Sequence, residues 1–148
     1  MMSIAKRALF LILLALVLPA SAHQKRSASR ARSPFTGTYR NRFGDWEILD
    51  LGKGKLKVSC SLTYPYKVRG VLTANLGECG GEATLNGKVA TFKPEETSAC
   101  TITLRFTGNR LVVNQDGSDA DCGFGHNVYA DGTYPKRSSR PPRFDVEK

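Results

Sequence analysis

The sequence predicts an all-β domain: a small antiparallel meander, closed into an up-and-down barrel of about eight strands and stapled by two disulfides. Three observations predict it. Apolar and polar residues alternate with period two along short segments, and no helical stripe is present. Turn residues punctuate these segments at short intervals. Four cysteines, Cys60, Cys79, Cys100 and Cys122, are spread almost evenly through the same region.

The strands are expected in this order. Thr36–Arg42 is the first, turned by Gly44-Asp45 into Trp46–Leu51, with Trp46, Ile48 and Leu51 inward. After Gly52-Lys53-Gly54, the segment Lys55–Leu62 alternates cleanly, so Leu56, Val58, Cys60 and Leu62 share one face. Tyr64-Pro65-Tyr66 reads as a break, because proline cannot donate to a ladder. Arg69–Leu76 is the next strand. Ala83–Leu85 and Val89–Phe92 flank Asn86-Gly87, the preferred central pair of a type I′ turn. Cys100–Phe106 and Leu111–Val113 follow, separated by Thr107-Gly108-Asn109. After a polar loop, Asp116–Asp121, the segment Cys122–Tyr129 reads as the closing strand.

Outside this domain, residues 34–135, the chain changes character. Residues 1–22 read as a secretory signal peptide: Lys6 and Arg7, an apolar run from Ala8 to Leu18, then Ala20-Ser21-Ala22 for cleavage. A run of 11 apolar residues is well short of the ~20 that span a bilayer, so no membrane span is expected. The expected location is secreted or periplasmic. Segments 23–33 and 136–148 are basic, rich in Ser and Arg, and poor in apolar residues, so both read as disordered tails. The net charge of the whole chain is +9, yet residues 34–135 carry 11 basic and 11 acidic side chains. The basic character therefore belongs to the ends of the chain.

An even cysteine count behind a signal peptide reads as a disulfide framework, and four cysteines allow three connectivities. Pairing Cys60 with Cys79 and Cys100 with Cys122 staples two local hairpins. No C-x-x-C pair is present to suggest zinc.

The run C-T-I-T-L-R-F…N-R-L-V-V-N-Q-D-G…D-C-G-F-G-H-N-V-Y-A-D-G-T-Y, residues 100–134, resembles a group of small secreted bacterial β-proteins of unassigned function. In that group a Cys opens a strand and returns as C-G-F-G before A-D-G-x-Y. The resemblance implies the Cys100–Cys122 bridge, a fold and an exported address. It implies no activity.

Nothing in the chain points to an enzyme. His126 is the only imidazole in the domain, and no G-x-S-x-G, H-E-x-x-H or glycine-rich phosphate loop occurs. With the cysteines in bridges no thiol nucleophile is free, and no cofactor is expected. Asp116, Asp119 and Asp121 offer calcium-type oxygens but lack EF-hand spacing, and Asp is also a turn residue; no metal is expected. Trp46, Tyr64, Tyr66, Phe124 and His126 are the candidate binding residues, since aromatic faces stack on sugars or partner side chains. The basic tails suit an anionic envelope polymer or a membrane surface. A neutral domain without interleaved aromatics in its tails excludes sequence-specific nucleic-acid reading. The leading expectation is an exported, non-enzymatic interaction module of the cell envelope or extracellular space, with a protein or glycan partner. A small-ligand carrier with an apolar barrel cavity is the alternative, followed by an inhibitor of a cell-wall hydrolase such as lysozyme.

Overall fold

The computed structural model describes residues 33–94 and 99–144, so the predicted signal peptide and most of the N-terminal basic tail lie outside the described residues. Eight antiparallel strands close into a barrel in sequence order: β1 (Gly37–Asn41), β2 (Gly44–Gly52), β3 (Lys55–Val68), β4 (Val71–Asn86), β5 (Val89–Phe92), β6 (Thr101–Thr107), β7 (Arg110–Asp116) and β8 (Gly132–Ser138). The all-β reading, the barrel and both disulfides are confirmed, with Cys60–Cys79 and Cys100–Cys122 at Cα separations of 5.0 and 4.8 Å.

Alternation builds the interior. Leu56, Val58, Cys60 and Leu62 all turn inward from β3, as their spacing requires. They meet Trp46 and Ile48 of β2, Ile102, Leu104 and Phe106 of β6, and Leu111 and Val113 of β7. Trp46 lies edge-on between Phe92 and Tyr134, with ring centroids 6.5 and 6.4 Å away. Large rings therefore fill the barrel. Burial of this kind is the main stabilising term in a domain of about this size.

Five local readings are corrected. Leu51, near the end of β2 where the strand leaves the core, is exposed and not inward. Pro65 does not break β3, which runs through it to Val68. The Thr63 N–H donates outward to the Phe43 carbonyl at 2.7 Å, so Pro65, two residues on, has its nitrogen on the same open side, where the ladder needs no donor. Residues 69–76 and 83–85 belong to one strand, β4, and Arg69-Gly70 is the turn before it, with φ of 49° and 85°. Positive φ at both central positions is the type I′ pattern. Asn86 closes β4, so the turn there is Gly87-Lys88; positive φ only at Gly87 is the II′ pattern. Finally, Cys122–Tyr129 is not a strand. Positive φ at Gly123 and Asn127 curls it into turns, and Gly132–Ser138 closes the barrel instead.

That closing strand takes in residues 136–138, which read as the start of a tail. Lys136 and Ser138 pair with Tyr39 and Thr38 across a bulge. The Lys136 ammonium donates to the Pro34 carbonyl and lies 5.3 Å from the Tyr39 ring centre. Further along, Phe144 sits under Lys57 of β3, with the ammonium 5.0 Å from its ring centre. Phe144 thus contacts the barrel through Lys57.

Two buried tyrosines brace the seam between β1 and β8. Each donates its hydroxyl to a carbonyl four residues upstream: Tyr39 to Phe35 at 2.8 Å, Tyr134 to Ala130 at 3.0 Å. Burial pushes the Tyr39 phenol up to about 12, and burial also raises that of Tyr134. A phenol whose folded value exceeds its unfolded value near 10 favours folding below pH 10, and that contribution is lost as pH rises toward 12. Stability should fall over that window by on the order of 2 kcal/mol from Tyr39 alone. Absorbance titration at 295 nm checks this: two of the five tyrosines should ionise late and together with unfolding. Simple ionisation of all five near pH 10, with the fold intact, would contradict it.

Candidate functional site

The lengths of β3 and β4 create the main surface feature. β2 pairs with β3 only as far as Gly44↔Leu62, and β5 pairs with β4 only over Ala83–Asn86. The β3–β4 ladder continues beyond Leu62 through Val68↔Val71. Residues 63–76 therefore leave the barrel as a two-stranded arm, and every residue from Tyr64 to Ala74 is exposed.

On one face of the arm stand Tyr64, Tyr66, Val68 and Val71 with Thr73 and Asn75; the opposite face carries Pro65, Leu72, Ala74 and Leu76 with Thr63 and Lys67. Val71, Leu72 and Leu76 are 68%, 70% and 60% exposed. Tyr64 and Tyr66 stack on one another, with ring centroids 6.4 Å apart and planes 25° apart. An arm with exposed apolar side chains on both faces differs from an ordinary surface hairpin, which keeps one face polar. Phe43 and Tyr129 are also exposed at this end, which holds the turns after β1, β3 and β7. Contiguous exposed apolar surface of this kind marks an interaction site.

The loop 117–131 seats the base of the arm. Phe124, Val128 and Ala130 are buried in the core. Phe124 and Val128 press on Gly77, where an added Cβ would come within 2.8 Å of Val128 Cγ1 and 2.9 Å of Phe124 Cδ1. Gly125 N–H donates to the Leu76 carbonyl at 2.9 Å, and Asn75 Nδ2 donates to the His126 carbonyl at 2.6 Å. These contacts tie the arm to the barrel.

The five aromatic and imidazole candidates from the sequence do not form one site. Trp46 is wholly buried in the barrel, and Phe124 is a packing residue of the loop. Tyr64 and Tyr66 are together on the arm. The His126 ring is 83% exposed, with Nδ1 3.6 Å from Asp119 Oδ2. Val68, Val71, Leu72 and Leu76, which sequence reasoning did not single out, supply most of the exposed apolar surface.

The loop carboxylates serve the loop itself. Asp119 accepts from the Asn127 amide at 2.6 Å and the Ala120 amide at 2.8 Å. These amides, with lesser help from His126, hold its carboxyl below the usual range. Asp121 accepts from the Ser118 amide and hydroxyl at 2.9 and 2.7 Å, and these likewise lower it. Among the described residues no three His, Cys, Asp or Glu side chains are grouped to hold a metal. No helix among them is long and apolar enough to cross a membrane. A shallow depression of about 130 Å³ lies elsewhere, lined by Asn109 and Lys136–Ser139.

Comparison with protein-family models, with curated proteins and with solved structures finds no match to this chain. Fold and surface together define a disulfide-stapled β-barrel with a projecting apolar arm. The two disulfides suit an oxidising compartment.

Proposed function

We propose that this protein is a non-enzymatic interaction module of the cell envelope or extracellular space, and that it binds through the arm end of its barrel. The observation that carries this reading is the cluster of exposed apolar side chains, Tyr64, Tyr66, Val68, Val71, Leu72 and Leu76, on a hairpin anchored by the 117–131 loop. Apolar side chains held in water on a braced element are a standing incentive for association.

The filled interior weighs against the carrier alternative. Trp46, Tyr39, Tyr134 and Phe92, all less than 2% exposed, occupy the space a ligand would need. A carrier barrel keeps an apolar cavity open. The hydrolase-inhibitor alternative gains nothing specific here, since Asp119 and Asp121 are engaged within their loop and the arm carries no acid.

Co-sedimentation with isolated cell envelopes tests the proposal. Leu72→Ser combined with Leu76→Ser should lower the bound fraction of the chain from His23 to Lys148 by at least about tenfold, because each exposed Leu offers on the order of 1.5–3 kcal/mol of burial. The melting temperature should change little, since both side chains are mostly exposed. Undiminished binding by this variant would place the contact surface elsewhere.

A further inference from the structure

We propose that the arm is a membrane-interface probe: its tip enters the headgroup region of a bilayer containing anionic lipid. This rests on the reading of the arm end as the binding surface, and it commits that surface to lipid.

Four features of the arm fit this occupant. The first is charge. Residues 63–76 contain Lys67 and Arg69 and no acidic side chain. Both cations are exposed at the tip, alongside Val68, Val71 and Leu72. Apolar side chains bordered by cations suit a surface of acyl chains bordered by phosphates.

The second is the aromatic pair. Tyr64 and Tyr66 stand behind the aliphatic tip, on the side toward the barrel. Tyrosine, apolar in its ring and polar at its hydroxyl, is suited to the layer between acyl chains and water.

The third is reach. Val68 lies six residue steps beyond Leu62, at the barrel rim, which at about 3.3 Å per residue projects the tip by about 20 Å. Among the described residues, the acidic side chains at this end are Asp45 and Glu78 beside the barrel rim, and Asp116, Asp119, Asp121 and Asp131 at the end of β7 and in the loop after it. The loop meets the arm at Asn75, four residues short of Val71; the remaining stand-off of about 13 Å at ~3.3 Å per residue still exceeds the screening length of about 8 Å in physiological salt. An anionic surface at the tip is therefore met by Lys67 and Arg69, with these carboxylates screened.

The fourth is the backbone, which sets the depth. Beyond Thr63, whose N–H reaches the Phe43 carbonyl, the arm pairs with no strand on the β2 side, so the outward-facing carbonyls there are without a strand partner. Hydrocarbon cannot satisfy such groups, but the headgroup region can. The arm thus seats at interfacial depth and does not span. The same edge discourages the rival mode, sheet extension onto a second copy or a protein strand. Pro65 removes one outward donor and Lys67 places a charge beside it, two devices that blunt sheet edges.

The experiment is co-flotation of the chain from His23 to Lys148 with lipid vesicles, one set of pure phosphatidylcholine and one containing about a third phosphatidylglycerol. Three forms are compared: the unaltered chain, Lys67→Gln with Arg69→Gln, and Val71→Ser with Leu72→Ser. All four positions are exposed, and equal melting temperatures confirm intact folding. The unaltered chain should float with the anionic vesicles. The Gln pair should weaken that partition by on the order of 10- to 30-fold, and the Ser pair by about 100-fold. Flotation that survives both changes would assign lipid binding to the basic segments at the chain ends and overturn the proposal. So would absence of flotation with either vesicle. If the Leu72→Ser, Leu76→Ser variant then still fails to bind whole envelopes, a protein or glycan partner holds the arm and the broader reading stands. If it binds them normally, both readings fall. A concentration-dependent dimer abolished by the Ser pair, without flotation, would instead assign the arm to a second copy.

Discussion

Replacing Cys100 and Cys122 together by Ser should lower the unfolding free energy by about 2–5 kcal/mol. The bridge closes a loop across a sequence separation of 22 residues, and the chain-entropy estimate for that length is roughly 3 kcal/mol. Its position adds to the effect. Cys122 opens the part of the 117–131 loop that has no strand pairing, and Phe124, Val128 and Ala130 from that loop complete the core. Two buried serine hydroxyls would also replace sulfur in a site where both cysteines are almost wholly enclosed. Cys60 and Cys79 have a different setting. They face one another inside a ladder of 14 registered pairs, so strand pairing holds that hairpin without them. Urea unfolding supplies the stability change, and amide exchange at 118–131 locates it. In the Cys100/Cys122 variant those amides should exchange faster than the β3–β4 ladder does. A cost below about 1 kcal/mol with the loop still protected would show that packing alone seats it.

The barrel was legible in the sequence because its interior obeys a strict local rule. Lys55–Leu62 alternates without exception, and so do the inward residues of β6 and β7. The errors fall where a tertiary contact decides. Pro65 stops a strand only where the ladder needs its missing N–H, and that depends on which neighbours are present. Gly77, Gly80 and Gly81 look like an interruption in β4; at Gly77 the absence of a side chain instead admits Phe124 and Val128. Cys122–Tyr129 has the residue types of a strand, but positive φ at Gly123 and Asn127 curls it beneath the arm. The true closing strand contains Lys136 and Arg137 and was hidden by its tail-like composition.

The arm was half legible. Tyr64 and Tyr66 stood out by type, whereas Val71 and Leu72 did not, because apolar residues in a strand are assigned inward by default. Their exposure follows from a comparison of lengths. β3 and β4 have 14 and 16 residues, against 9 in β2 and 4 in β5. The overhang is a property of the neighbours, so no window on 63–76 alone reveals it. One local signal was available: apolar residues occur at both parities of that segment, so neither face is wholly polar.

The difference between core and surface aromatics gives the remaining large effect. Trp46→Ala should cost about 3–5 kcal/mol, whereas Tyr66→Ala should change stability by no more than about 0.5 kcal/mol. Both were candidates for the same surface on residue type alone. Trp46 has no exposed surface and fills the barrel between Phe92 and Tyr134, so truncation leaves a cavity bounded by rigid rings. Its indole N–H is near enough to the Tyr134 hydroxyl to favour that phenol's ionised form, but makes no hydrogen bond. Trp46→Phe should therefore cost clearly less than Trp46→Ala, because it keeps most of the ring and removes a buried donor that has no partner. Urea titrations followed by far-ultraviolet circular dichroism give all three values on one scale. The fluorescence of this single tryptophan should also be that of a dry site, shifting to the red only on unfolding. A Trp46→Ala variant as stable as the parent would mean that the barrel tolerates an open interior. That result would restore the ligand-carrier reading, and binding of apolar small molecules to the variant and the parent would then be the measurement to make.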